Sequence, residues 1–262
     1  MILTWPLYFC LAVSLVAVPL YIAVLFSLQK LRRQSFIYRA TFYTLLFQHG
    51  IADLFTMTTY LTQNVLTKIP AIFQLFYTYQ DYYLAAGTYN SVYYTLYIRC
   101  CGIVLLTLQR FITVHFGQSK LNQIVQRLSS WKIISIYWIL PTLLSIVPLK
   151  DHDMHIEPDG QLILDKSIIS RNTTMAFTIV LVACSVCVIT YTALFLFVRN
   201  HSLTSALRRE MHLSIQLVGL VLAFFLMLAY YSLQTYFSLS QNSGPVFTMR
   251  SSIRYPTAFY LM

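Results

Sequence analysis

Apolar residues run in long blocks along this chain, and polar residues gather in the gaps between them. A helix that crosses a bilayer needs roughly 20 mostly apolar residues. Six blocks meet that requirement, at 5–28, 40–62, 87–114, 131–149, 172–198 and 212–238. A seventh covers 249–262, where the sequence ends, and is too short to cross. The pattern predicts an all-α fold: a polytopic membrane helix bundle in one transmembrane domain over 1–262, with six complete spans and a truncated seventh. The first block has no basic leader, so it predicts a retained helix rather than a cleaved signal peptide.

Composition agrees with a lipid solvent. Hydrophobic residues make up 58% of the chain and charged residues only 10%, against about a quarter charged in soluble domains. The net charge of +10 raises the question of nucleic acid, but the cations alternate between gaps instead of forming one patch. Lys30, Arg32, Arg33, Arg39, Arg110, Lys120, Arg127, Lys132, Arg199, Arg208 and Arg209 put eleven on one side. Lys68, Lys150, Lys166, Arg171, Arg250 and Arg254 put six on the other, together with Asp81, Asp151, Asp153, Glu157, Asp159 and Asp165. Basic loops stay in the cytoplasm, which predicts an external amino terminus, a lipid-bilayer partner and no nucleic acid.

One acid interrupts the second block, in "LLFQHGIADLFTM". No charged residue lies between Arg39 and Asp53, or between Asp53 and Lys68. A charge inside a membrane is expensive and usually has a partner. At 1.5 Å per residue Asp53 stands roughly 21 Å above the inner end of span two. Arg99, in "YIRCCG", stands about 22 Å above the inner end of span three by the same measure. An Asp53–Arg99 ion pair is therefore expected; the alternative is a protonated Asp53 with Arg99 snorkelling outward.

Other candidates carry weaker signals. Tyr89, Tyr93 and Tyr97 recur every four residues on one helical face, so they are candidates for a ligand-pocket wall. Tyr77–Tyr83 read as an aromatic belt at the outer interface. Asn172-Thr173-Thr174 is a sequon on the outer side, which makes Asn172 a glycosylation candidate; Asn200-His201-Ser202 lies on the inner side. Cys10, Cys100, Cys101, Cys184 and Cys187 all fall inside spans, where small apolar packing is expected rather than metal binding. His152 and His155 read as part of a solvated loop. The histidines form no ligand-spaced box and no nucleophile–base constellation is visible, so neither an enzyme nor a cofactor is expected.

Taken together, "GIADLF" in span two and "LQRF" closing span three resemble seven-helix G-protein-coupled receptors. The strings "VPLYIAVLFSLQKLR", "FYTLLFQHGIADLF", "YNSVYYTLYIRCCGIVLLTLQRF" and "WKIISIYWILPTLLSIVPLKD" are similar to the nematode serpentine chemoreceptors of the Srg superfamily, nearest to class Srv and next to class gamma. The resemblance implies a chemosensory receptor in the plasma membrane. It would bind a small-molecule cue among its helices and signal to a heterotrimeric G protein.

Arg110 matches the coupling arginine of the acid–Arg–aromatic triplet, with Gln109 in place of the acid. Asp53 matches the helix-two acid that binds sodium in rhodopsin-like receptors, and Arg99 falls where the helix-three sodium ligand lies, so a guanidinium takes the ion's place. Two further features depart from the pattern. No cysteine is present in the second outer loop for the usual disulfide, and span six lacks proline, although Gly219 lies within it. The competing function is a small transporter or channel using Asp53 and Arg99 as a relay. Such proteins commonly show inverted repeats and broken spans; no internal repeat is visible, and the chain has only seven glycines.

Overall fold

The computed structural model describes residues 5–35, 40–64, 69–152, 154–156, 162–164 and 166–200, together with Phe225, Leu226, Leu228, Ala229, Ser232, Leu233 and Tyr236. These last residues are helical and belong to the sixth apolar block. The remainder of that block, the 249–262 stretch and Gly219 lie outside the described residues. The long helices are α1 (Trp5–Gln34), α2 (Thr41–Asn64), α4 (Leu84–His115), α6 (Ser130–Leu149) and α7 (Lys166–Asn200). Two short helices, α3 (Pro70–Thr78) and α5 (Lys120–Gln126), occupy gaps. Pro70 opens α3 from an extended Ile69, which suits its fixed φ and missing N–H. Ser119 caps α5 by accepting from the Asn122 amide at 3.2 Å.

The bundle is all-α, as expected, with one short hairpin in the gap between α6 and α7. Strands β1 (Met154–Ile156) and β2 (Leu162–Leu164) pair antiparallel with Met154 opposite Leu164. Three residues per strand are too few for an alternating pattern to register. Helix α7 also begins at Lys166 rather than at 172, so that Arg171 and Asn172, which contact Asp151, lie within the helix.

Among the described residues, four stretches are long and apolar enough to cross a membrane: Leu11–Gln34, Leu84–His115, Ser130–Leu149 and Ser167–Phe197. Helix α2 has the length but is more polar. Its threonines hide their hydroxyls by donating to their own helix: Thr56 to the Ala52 carbonyl at 2.8 Å, Thr58 to Leu54 at 2.9 Å and Thr62 to Thr58 at 2.9 Å. Back-bonding of this kind lets a polar helix live among others in lipid. Helix α4 is the axis of the bundle, with α2, α6 and α7 packed around it and α1 against α2.

Successive long helices alternate in direction. At the basic end, Arg32 Nη2 donates to Thr44 Oγ1 at 3.0 Å, Thr41 donates to the Val125 carbonyl at 2.8 Å, and the His115 and Phe197 rings lie 4.7 Å apart. The opposite end is tied by Asp151. Its carboxylate accepts from Arg171 and, at 3.0 Å, from Asn172 Nδ2, while its backbone oxygen accepts from Asn90 Nδ2 at 3.0 Å. Beside it Tyr83 sits at φ 65°, a left-handed conformation that a bulky residue rarely adopts. Its hydroxyl donates to the Leu149 carbonyl and its ring meets that of His152 at 4.9 Å. These bonds tie α4, α6 and α7 together at the end where a loop disulfide is impossible.

Asp151→Ala removes the acceptor shared by α7 and should lower stability by about 1.5–3 kcal/mol. Most of that loss comes from the buried Asn172, since half-exposed Arg171 is screened by solvent. Thermal unfolding of the detergent-purified protein should show a lower midpoint for Asp151→Ala and an unchanged one for Asp81→Ala, a substitution at an exposed site.

Candidate functional site

Each long helix on the α2 side of α4 contributes one group to a polar hub. Asp53 comes from the middle of α2, and Arg99 Nε stands 2.9 Å from its Oδ1. Neither atom meets hydrogen-bond geometry with a partner, so the contact is one of charge with charge. The other carboxylate oxygen accepts from the Tyr21 hydroxyl of α1 at 2.7 Å. Both side chains are mostly removed from solvent, at 15% and 19% exposure. A carboxylate here therefore has one cation and one neutral donor.

His49 lies one turn before Asp53, with Nε2 3.8 Å from Asp53 Oδ2, too far for a hydrogen bond. Its Nδ1 is 3.0 Å from the Tyr137 hydroxyl of α6. The tautomer with its proton on Nε2 serves both neighbours, accepting from Tyr137 and turning an N–H toward the acid. Alongside, Trp138 Nε1 donates to Gln48 Oε1 at 2.8 Å. Four helices thus meet around one carboxylate. Gly102 makes room for them, because a Cβ on it would lie 2.5 Å from His49 Nδ1 and 2.5 Å from the Tyr137 hydroxyl.

The tyrosine face of α4 turns the other way, toward α7. Tyr89, Tyr93 and Tyr97 are buried against Ala176, Val180, Ala183, Cys184 and Cys187, with Leu228 also packed on this cluster. The hydroxyls of Tyr89 and Tyr93 are 3.3 Å apart. Tyr97 is fully buried and its hydroxyl has no hydrogen-bond partner among the described residues; the same holds for Asn90 Oδ1 and Thr173 Oγ1. Cys100, Cys184 and Cys187 are packing groups within this seam. Of the belt tyrosines, Tyr79 and Tyr82 are exposed and Tyr77 stacks on Phe73.

Arg110, near the basic end of α4, is 4% exposed. Its guanidinium carbon lies 3.4 Å from the centroid of the Phe42 ring, at the start of α2. Gln109 donates from Nε2 to Thr113 Oγ1 at 3.0 Å, within the same helix. Asn172, the glycosylation candidate, is fully buried inside α7, and its Nδ2 donates to Asp151. The sequon states which residues are present but not that α7 begins before them. The second sequon, at Asn200, and His155 fall where side chains are not described.

Tyr21, His49, Gly102, Tyr137 and Phe42 are absent from the sequence-derived site. Only His49 had a legible signal, standing four residues before Asp53 on the same helical face.

The alternating helices and the buried charges between them define a polytopic membrane bundle. Residues 9–261 match the family of serpentine type 7TM GPCR chemoreceptors Srv. The chain belongs to this family and is a membrane chemoreceptor of the seven-helix class. No curated protein matches it.

Replacing either charge of the hub leaves the other buried alone, which costs roughly 3–5 kcal/mol. Asp53→Arg and Arg99→Asp should each abolish surface expression, and the double exchange should restore it, as measured by antibody labelling of intact cells. Two well-expressed single variants would remove the pair's importance. Gly102→Ala should lower the thermal midpoint through overpacking of about 1–3 kcal/mol. Gly50→Ala should cost less, since its Cβ meets only the flexible tip of Leu25, at 2.6 Å.

Proposed function

We propose that this chemoreceptor binds a small molecule within its helix bundle and signals to a heterotrimeric G protein at its basic end. The family match over 9–261 carries this reading. In it, the amino terminus lies outside, the plasma membrane holds the bundle, and the face with Arg32, Arg33, Arg127 and Lys132 looks into the cytoplasm. The Asp53–Arg99 pair fastens α2 to α4 at mid-depth, and Arg110 is the coupling switch.

The ligand meets the outer half of the α4–α7 seam, at Tyr89, Tyr93 and Tyr97. Support comes from the buried polar atoms there that lack hydrogen-bond partners among the described residues, Asn90 Oδ1, Tyr97 Oη and Thr173 Oγ1. A buried polar group without a partner loses about 1–3 kcal/mol, and a ligand that supplies hydrogen bonds recovers it. The aromatic walls and few polar atoms suit a small, mostly apolar cue carrying one or two hydrogen-bonding groups.

Cells expressing the full-length protein with a set of Gα subunits should give cue-evoked, GTP-dependent responses to part of a volatile and soluble odorant panel. Arg110→Ala should reduce those responses to the level of cells without receptor at unchanged surface expression. Solute or ion flux driven by a cue, with no nucleotide exchange on any Gα, would instead identify a transporter or channel.

A further inference from the structure

We propose that Phe42 is the positioning residue of Arg110, holding its guanidinium by the face of an aromatic ring in the resting receptor. The inference rests on the coupling role proposed above for Arg110 and adds what restrains that residue.

Sequence and structure lead to the same point. The position before Arg110 is Gln109, which has no charge to offer, and its amide is turned along the helix to Thr113. Arg110 therefore lacks the adjacent carboxylate that would hold it from within α4. The structure supplies another device from a different helix. Phe42 is the second residue of α2, partly buried against the α2–α4–α6 core, and its ring lies beneath the guanidinium at 3.4 Å. That separation is well inside the roughly 6 Å over which a ring quadrupole attracts a cation. Burial strengthens it, because Arg110 is almost fully removed from water and a desolvated cation gains more from a π face than an exposed one.

The ring is itself fixed. The Tyr43 ring meets it edge to face at 5.3 Å, and neighbouring Thr41 anchors the start of α2 by donating to the Val125 carbonyl beside α5. Any movement of the inner end of α4 away from α2 must break the ring contact. It is a restraint between helices, in the position where an acid within the helix would act on one helix alone.

A shape-conserving series separates this role from packing. Mono-, di- and trifluorinated phenylalanine at position 42 weaken the ring's negative face in steps while keeping its size. Two readouts apply to the full-length receptor in nanodiscs: the thermal midpoint, and basal nucleotide exchange on added Gα. The expected result is a stepwise fall in midpoint and a stepwise rise in cue-independent exchange, about 2- to 30-fold across the series. In an Arg110→Gln background, fluorination should move neither.

A midpoint that is flat across the series, or that falls equally with Arg110→Gln, overturns the proposal. So does unchanged basal exchange in a receptor that does respond to a cue. A midpoint that depends on both fluorination and Arg110, in a receptor that activates no Gα under any condition, upholds the ring's hold on Arg110. The failure then belongs to the coupling reading.

Discussion

A carboxylate at mid-depth in a bilayer has few stable arrangements, and Asp53 has been given one that recruits its neighbours. Water is absent there, so the charge must be met by a cation at the same height on an adjacent helix. That requirement fixes how far α2 and α4 can slide past one another, because Arg99 has to stand opposite it, 2.9 Å away. The second oxygen draws in α1 through Tyr21, and His49 extends the hub to Tyr137 of α6. Hydrophobic association between helices is weak in lipid, where the tails are as apolar as leucine. Polar contacts of this kind and close backbone approach, as at Gly102, therefore set the register of the bundle.

With the register set, α4 divides the work between its two faces. The face toward α2 and α6 carries the charges and the glycine. The face toward α7 carries Tyr89, Tyr93, Tyr97 and the buried cysteines, a seam of rings and small thiols. The first face is electrostatically closed, because its carboxylate already has a cation and a donor. Among the described residues, buried polar atoms without a hydrogen-bond partner lie on both faces: Asp53 Oδ1 and Arg99 Nε on the first, and Asn90 Oδ1, Tyr97 Oη and Thr173 Oγ1 on the second.

The sequence carried some of this plainly. For the five long helices described in full, block ends fall within six residues of the helix ends, and rise per residue placed Asp53 and Arg99 at one height without any knowledge of packing. Helix rotation was harder. Nothing in the spacing of Tyr21 or Tyr137 says that either hydroxyl turns toward α2, since that depends on how α1 and α6 are rolled against it. The surroundings of Asn172 were hidden for a related reason: a sequon is a local triplet, whereas its side chain bonds to Asp151, twenty-one residues earlier. The short hairpin of β1 and β2 and the helices α3 and α5 lie in gaps too brief for periodicity to show.

The two ends of α4 show how a shared architecture tolerates the loss of familiar fasteners. The loop between α6 and α7 has no cysteine to bridge to α4, and Asp151 gathers α4, α6 and α7 by polar contacts instead. At the other end an uncharged Gln109 leaves Arg110 without an adjacent acid, and the Phe42 ring lies against the guanidinium. A covalent bridge or a strong ion pair persists while helices shift, whereas bonds to backbone oxygen and contacts with a ring face depend on direction and are lost over small displacements. Replacing the former with the latter makes both ends of α4 sensitive to how its neighbours are placed.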